Sequence, residues 1–110
     1  MTSLQIADLV LGTGAEAARG SIVAVRYRGT FTDGREFDAS RADAFRFPLG
    51  EGVVIEGWDQ GLLGMKVGGK RRLRIPPELA YGEAGSPPEI PPNSTLVFEV
   101  ELVAVTQEKW

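Results

Sequence analysis

The chain has neither cysteine nor histidine among its 110 residues. Without cysteine it forms no disulfide and offers no thiol nucleophile or thiolate ligand. Without histidine, neither a Ser-His-Asp triad nor a histidine-bearing zinc site can be assembled. Long apolar runs are missing too. Nothing approaches the roughly 20 residues of a membrane span, and Leu9-Val10-Leu11 is too short for the core of a signal peptide. An excess of positive charge is also lacking: the formal net charge is −3, which gives no support for nucleic-acid binding. These absences predict a cytoplasmic protein with no cofactor, no metal, no membrane contact and no nucleic-acid partner. It is expected to be a monomer.

What remains is ordinary in bulk: 43% hydrophobic and 25% charged residues, as in soluble domains. The length suits one domain, residues 1–110, with a core that needs no staples.

The residues from Val53 to Met65 organise the rest. Val53-Val54-Ile55 run into Glu56-Gly57-Trp58, and Trp58, Leu62 and Met65 follow at helical spacing. Gly61 and Gly64 each cost about 1 kcal/mol against alanine in a helix, and about ten residues cannot hold a helix alone in water. The segment is therefore expected to be helical only where a sheet encloses it.

Strand patterns surround it. Leu4 to Leu11 reads as a first strand, and Ala15 to Arg19 as a helical turn. From Ile22 to Phe31, Val23, Val25, Tyr27 and Phe31 share one face, and Arg26 and Arg28 the other. Asp33-Gly34 is a strong hairpin signal, with the return strand at Arg35 to Asp38. Phe45-Arg46-Phe47 resumes the alternation until Pro48 ends it. Lys70 to Ile75 reads as a strand with Leu73 and Ile75 inward. The basic residues Lys66, Lys70, Arg71, Arg72 and Arg74 read as a solvated strand face. Pro76 to Asn93 carries six of the seven prolines and no period; such long loops are often functional. Thr95 to Val105 alternates Leu96, Phe98, Val100, Leu102 and Ala104, and is expected at the centre. The fold class is α+β, with five to six antiparallel strands wrapped around one short helix.

Six motifs carry a family resemblance. They are Val25-Arg26-Tyr27-Arg28-Gly29, Asp33-Gly34-Arg35-Glu36-Phe37-Asp38-Ala39-Ser40 and Phe45-Arg46-Phe47-Pro48-Leu49-Gly50. Val54-Ile55-Glu56-Gly57-Trp58-Asp59-Gln60-Gly61, Leu79-Ala80-Tyr81-Gly82 and Ile90-Pro91-Pro92-Asn93-Ser94-Thr95-Leu96-Val97-Phe98 complete the set. In order and spacing they resemble the FKBP-type peptidyl-prolyl cis-trans isomerases, from about Val10 to Val105. The resemblance implies an antiparallel sheet around a short helix, with a pocket between them. It implies Trp58 as floor and Tyr27, Phe37, Phe45, Val54, Ile55, Tyr81, Ile90 and Phe98 as walls, with Asp38 at the rim. The residues themselves leave two readings of Asp38, a turn cap or an ion pair with Arg41 at the pocket edge. Asp38, Tyr81, Phe98 and the Ile55 N–H are the implied catalytic groups. Implied partners are proline-containing peptides, unfolded or folding proteins, and macrolides such as tacrolimus or rapamycin. Ser86 stands where histidine is frequent, Glu89 where apolar residues are common, and Val53 where some members are acidic; these positions tune ligand preference.

The residue types suit that chemistry. Rotation about an X–Pro bond breaks no covalent σ-bond, so no nucleophile or metal is required. The barrier of about 18–20 kcal/mol comes from amide resonance, and an apolar pocket that favours a twisted amide over the planar form lowers it. Phe47 and Leu96 read as core. Two other readings stay open at this level: a non-catalytic module that captures proline-containing segments, and a general holdase.

Overall fold

The computed structural model describes residues 3–40 and 42–107. Six strands form one antiparallel sheet: β1 (Gln5–Val10), β2 (Ser21–Phe31), β3 (Glu36–Ala39), β4 (Phe45–Pro48), β5 (Lys70–Ile75) and β6 (Leu96–Gln107). The strand order is β1-β5-β6-β2-β3, so β6 is central, as its long alternation predicts. The outer edge of β2 is shared. Ile22–Val25 pair with β4, and Arg28–Thr30 pair with β3. Among the described residues there is one α-helix, α1 (Glu56–Gly61), which packs against β5.

The β2–β3 hairpin turns where Asp33-Gly34 places it. Gly34 N–H donates to the Phe31 carbonyl at 3.0 Å, and Gly34 adopts φ +93°, a conformation side chains disfavour. Asp33 fixes the turn by accepting from the Arg35 amide and pairing with its guanidinium.

The core lies between the sheet and α1. Val23, Val25, Leu73, Ile75, Leu96, Val100 and Leu102 come from the sheet; Trp58, Leu62 and Met65 come from the helix and the turn after it. Only Trp58 of these three lies within the helix, which ends at Gly61; Leu62 is its C-cap. The helix glycines let it approach β5. A Cβ on Gly57 would stand 2.5 Å from Ile75 Cγ2, and one on Gly61 would stand 2.9 Å from Leu73 Cδ2. Tertiary contact thus offsets the weak helix propensity of this sequence.

Four local expectations are corrected. Ala15 to Arg19 is not a helical turn: Glu16 bridges Lys66, Ala17 N–H donates to the Met65 carbonyl at 2.7 Å, and Val67 N–H donates to Ala15. Pairing with the chain beyond the helix satisfies more backbone groups than one isolated turn could. The β6 alternation changes parity. Val25 pairs with Leu102 but Ala24 pairs with Ala104, so Val103 is an extra residue, a bulge. Val105, not Ala104, then packs against the core. Residues 76–93 are not without structure. They contain a 3-10 turn (Pro77–Leu79) and a Ser86–Ile90 bridge, and Asn93 N–H closes the loop on the Gly82 carbonyl.

The fourth correction concerns Arg71. It leaves the solvated row and follows the inward parity of Leu73 and Ile75, with its side chain 13% exposed. It pairs with Asp8 at 2.7 Å and donates to the Gly61 and Leu63 carbonyls, both at 2.9 Å. A cation on the orphan carbonyls of a helix C-terminus is a favourable placement.

Candidate functional site

A cavity of about 440 Å³ lies between α1 and the sheet, within the usual range of small-ligand sites. Its floor is Trp58. β2 supplies Tyr27, β3 supplies Phe37 and Asp38, β4 supplies Phe45 and β6 supplies Phe98. The chain entering the helix supplies Val53, Val54 and Ile55, and the long loop supplies Tyr81.

Aromatic packing sets the geometry. The Trp58 ring is 4% exposed. The Tyr27, Phe98 and Phe45 rings meet it edge-on at 5.0, 5.2 and 6.3 Å, with Phe47 tilted at 5.7 Å. Phe37 leans edge-on against Phe98 at 5.5 Å. Such edge-to-face contacts, with centroids within about 7 Å, are the preferred aromatic geometry. Gly29 permits them: a Cβ there would stand 2.7 Å from both Phe37 Cζ and Phe98 Cε1. Phe37 is the unpaired residue of a bulge, since Asp38 pairs with Gly29 but Glu36 with Thr30. The bulge turns the Phe37 ring towards Phe98.

Polar groups are few and specific. Tyr27 Oη donates to Asp38 Oδ2 at 3.0 Å, and the Ala39 amide donates to Oδ1 at 2.9 Å. Both carboxylate oxygens are therefore engaged at the rim. Burial, with the Asp38 charge adding to it, raises the Tyr81 hydroxyl above the usual phenol range, so Tyr81 keeps its proton across physiological pH. Among the described residues the Tyr81 hydroxyl has no hydrogen-bond partner. The Ile55 N–H has none either, although the Ile55 carbonyl accepts from Trp58 and Asp59. A backbone donor at a cavity wall and a phenolic donor opposite a carboxylate can each hold a carbonyl.

The sequence-predicted residues fall into three sets. Tyr27, Phe37, Asp38, Phe45, Val54, Ile55, Trp58, Tyr81 and Phe98 line the one cavity. Ile90 does not line it; it is buried in the core behind it. Arg41 lies outside the described residues. Phe47 and Leu96 are core, as their pattern indicates. Val53, which the resemblance marks only as a position that tunes ligand preference, also lines the cavity and is 60% exposed. Among the described residues no cluster of acidic side chains could hold a metal, and no helix is long and apolar enough to cross a membrane.

Comparison with known proteins agrees with this geometry. The family model for FKBP-type peptidyl-prolyl cis-trans isomerases matches residues 14–103, which contain every residue lining the cavity. FK506-binding protein 4 of Dictyostelium discoideum is 53% identical over 96% of this chain and 29% of its own length. Peptidyl-prolyl cis-trans isomerase FKBP15-2 of Arabidopsis thaliana is 56% identical over 84% of this chain and 58% of its own. The chain thus spans 29% and 58% of the length of these two curated relatives, less than two thirds of either. A crystal structure of a peptidyl-prolyl cis-trans isomerase from Pseudomonas syringae pv. tomato superposes with a TM-score of 0.86 at 41% identity, covering 94% of this chain and 76% of that one.

Proposed function

The chain belongs to the FKBP-type peptidyl-prolyl cis-trans isomerase family, and we propose that it catalyses rotation about X–Pro peptide bonds in unfolded and folding proteins. The observation that carries this reading is the cavity itself: six aromatic side chains around a backbone donor that has no partner among the described residues, with one carboxylate at the rim.

The mechanism needs no covalent step. The proline ring sits on Trp58, between Tyr27, Phe45 and Phe98. The Ile55 N–H holds a substrate carbonyl next to the bond that turns, and the Tyr81 hydroxyl holds another. Twisting the amide removes resonance and makes the C–N unit less polar than the planar, well-hydrated form. An apolar enclosure therefore binds the twisted form in preference, which is the condition for acceleration. Asp38 faces the imide carbonyl, held at a fixed orientation by Tyr27. The raised proton affinity of Tyr81 supports its role as a donor.

The same cavity is proposed to accept macrolides of the tacrolimus type. The Dictyostelium relative, an FK506-binding protein by name, supports this, with Val53, Ser86 and Glu89 setting affinity. A cytoplasmic, monomeric protein is part of the same proposal. Exchange spectroscopy on a proline-containing peptide tests the activity, with Asp38→Leu and Tyr81→Phe as site variants. The reading expects fast cis-trans exchange with the parent protein and a reduced rate with both variants. Full activity in both variants would remove these side chains from the mechanism, and no exchange with the parent protein would leave only a proline-segment binder.

A further inference from the structure

The wall that carries the Ile55 N–H has almost no backbone support. Among the described residues, 50–54 make no backbone–backbone hydrogen bond. Two of them, Gly50 and Gly52, sit at φ +85° and +73°. Their amides instead point at one side chain. Asp59, in α1, accepts from Gly50 N–H through Oδ1 at 2.8 Å and from Gly52 N–H through Oδ2 at 2.9 Å. Arg19 adds one bond to the Gly50 carbonyl at 3.2 Å. Bonds to an ionised acceptor are shorter and about twice as strong as neutral ones.

We infer that Asp59 is a positioning residue of the site: its carboxylate clamps the Gly50–Gly52 turn and so fixes Val53, Val54 and the Ile55 donor against the substrate. The inference rests on the isomerase reading above. Asp59 itself does not line the cavity; it acts through the segment it holds. The clamp has a requirement that only a carboxylate meets at this length, since both of its oxygens must accept. An amide at the same place offers one acceptor and turns an N–H₂ donor towards an N–H donor. The Ile55 N–H holds the substrate carbonyl in both planar and twisted forms, so misplacing that donor weakens both alike, while the aromatic rings that favour the twisted form stay in place. Uniform loss of this kind appears in KM and leaves kcat alone.

The test is isomerase kinetics on a proline-containing peptide for the parent protein and Asp59→Asn, with amide hydrogen exchange on the parent. The expected result is KM raised about tenfold with kcat within about twofold, and unchanged far-ultraviolet circular dichroism. In the parent, Gly50 and Gly52 amides should exchange at least about tenfold more slowly than those of Glu51 and Val53, which donate to no such partner. Unchanged KM in Asp59→Asn, or a fall confined to kcat, overturns the positioning role. Free exchange of both glycine amides overturns it as well, whether or not the variant folds. A parent protein that binds the peptide without turning it over defeats the isomerase reading instead, and the exchange measurement still decides whether the clamp exists.

Discussion

Gly57→Ala should destabilise this protein, against the ordinary rule for helices. In a solvent-exposed helix the change gains about 1 kcal/mol. Here the new Cβ would stand 2.5, 2.8 and 3.0 Å from Ile75 Cγ2, Cδ1 and Cγ1, where carbon atoms prefer about 3.5–4.0 Å. Ile75 is completely buried and pairs with Leu96 on the central strand, so it has little freedom to yield. Overpacking of this kind costs about 1–3 kcal/mol. With the propensity gain set against the upper half of that range, the net loss is about 1–2 kcal/mol, or roughly 4–8 °C in Tm for a domain near this size. Urea denaturation, with the m-value as a check on the two-state transition, measures it. The cause is tested by a double-mutant cycle. Ile75→Ala removes all three clashing atoms, so Gly57→Ala should become neutral or stabilising in that background, a coupling of about 2 kcal/mol. A higher urea midpoint for Gly57→Ala alone, or no coupling to Ile75, would refute the claim that glycine is there to let the helix approach β5.

Three further outcomes follow from the same geometry. Gly29→Ala, whose Cβ meets the Phe37 and Phe98 rings at 2.7 Å, should lower peptide affinity by about tenfold or more, since two walls must shift; titration calorimetry checks this. Arg71→Met should lower stability by about 2 kcal/mol, because the Gly61 and Leu63 carbonyls lose a charged donor; the urea midpoint reports it. Isomerase activity should not fall from Tyr81 ionisation until the pH passes the ordinary phenol range. Burial and Asp38 raise that pKa, so the protonated donor persists to higher pH than in a free tyrosine. Tyr81→Phe should abolish any alkaline limb of the rate profile.

Phe98 bears on the choice of variants. The resemblance implies that it is a wall residue of the site. It is in fact 4% exposed and packs on Trp58 and Phe37. Phe98→Ala should cost about 3–5 kcal/mol of stability, so lost activity there would mix site and fold. Asp38 and Tyr81, both exposed, separate the two effects.

Regular alternation made β2, β5 and β6 legible, and Asp33-Gly34 marked the hairpin, because these signals are local. The motif spacing brought nine site residues to one cavity. What was not legible depends on partners distant in the chain. The parity change at Val103 comes from pairing with Ala24 and Val25, and nothing in the β6 sequence marks it. Ala15 to Arg19 has the small residues of a helical turn, yet residues 64–67 supply better hydrogen bonds. Arg71 sits in a basic run that looks solvated until the helix end is found above it. Asp59 reads as an ordinary acidic residue in a helix's first turn. Its role emerges only when the helix folds back beside Gly50 and Gly52.

The central claim is that the aromatic cavity turns X–Pro bonds over rather than merely holding one isomer. Exchange spectroscopy at catalytic protein concentration, on a peptide with resolved cis and trans signals, tests it most directly. The account predicts cis-to-trans and trans-to-cis rates raised by the same factor, far above the spontaneous exchange of tens of seconds or longer, with the equilibrium ratio unchanged. Signals that shift on binding while the two isomers fail to exchange would contradict it.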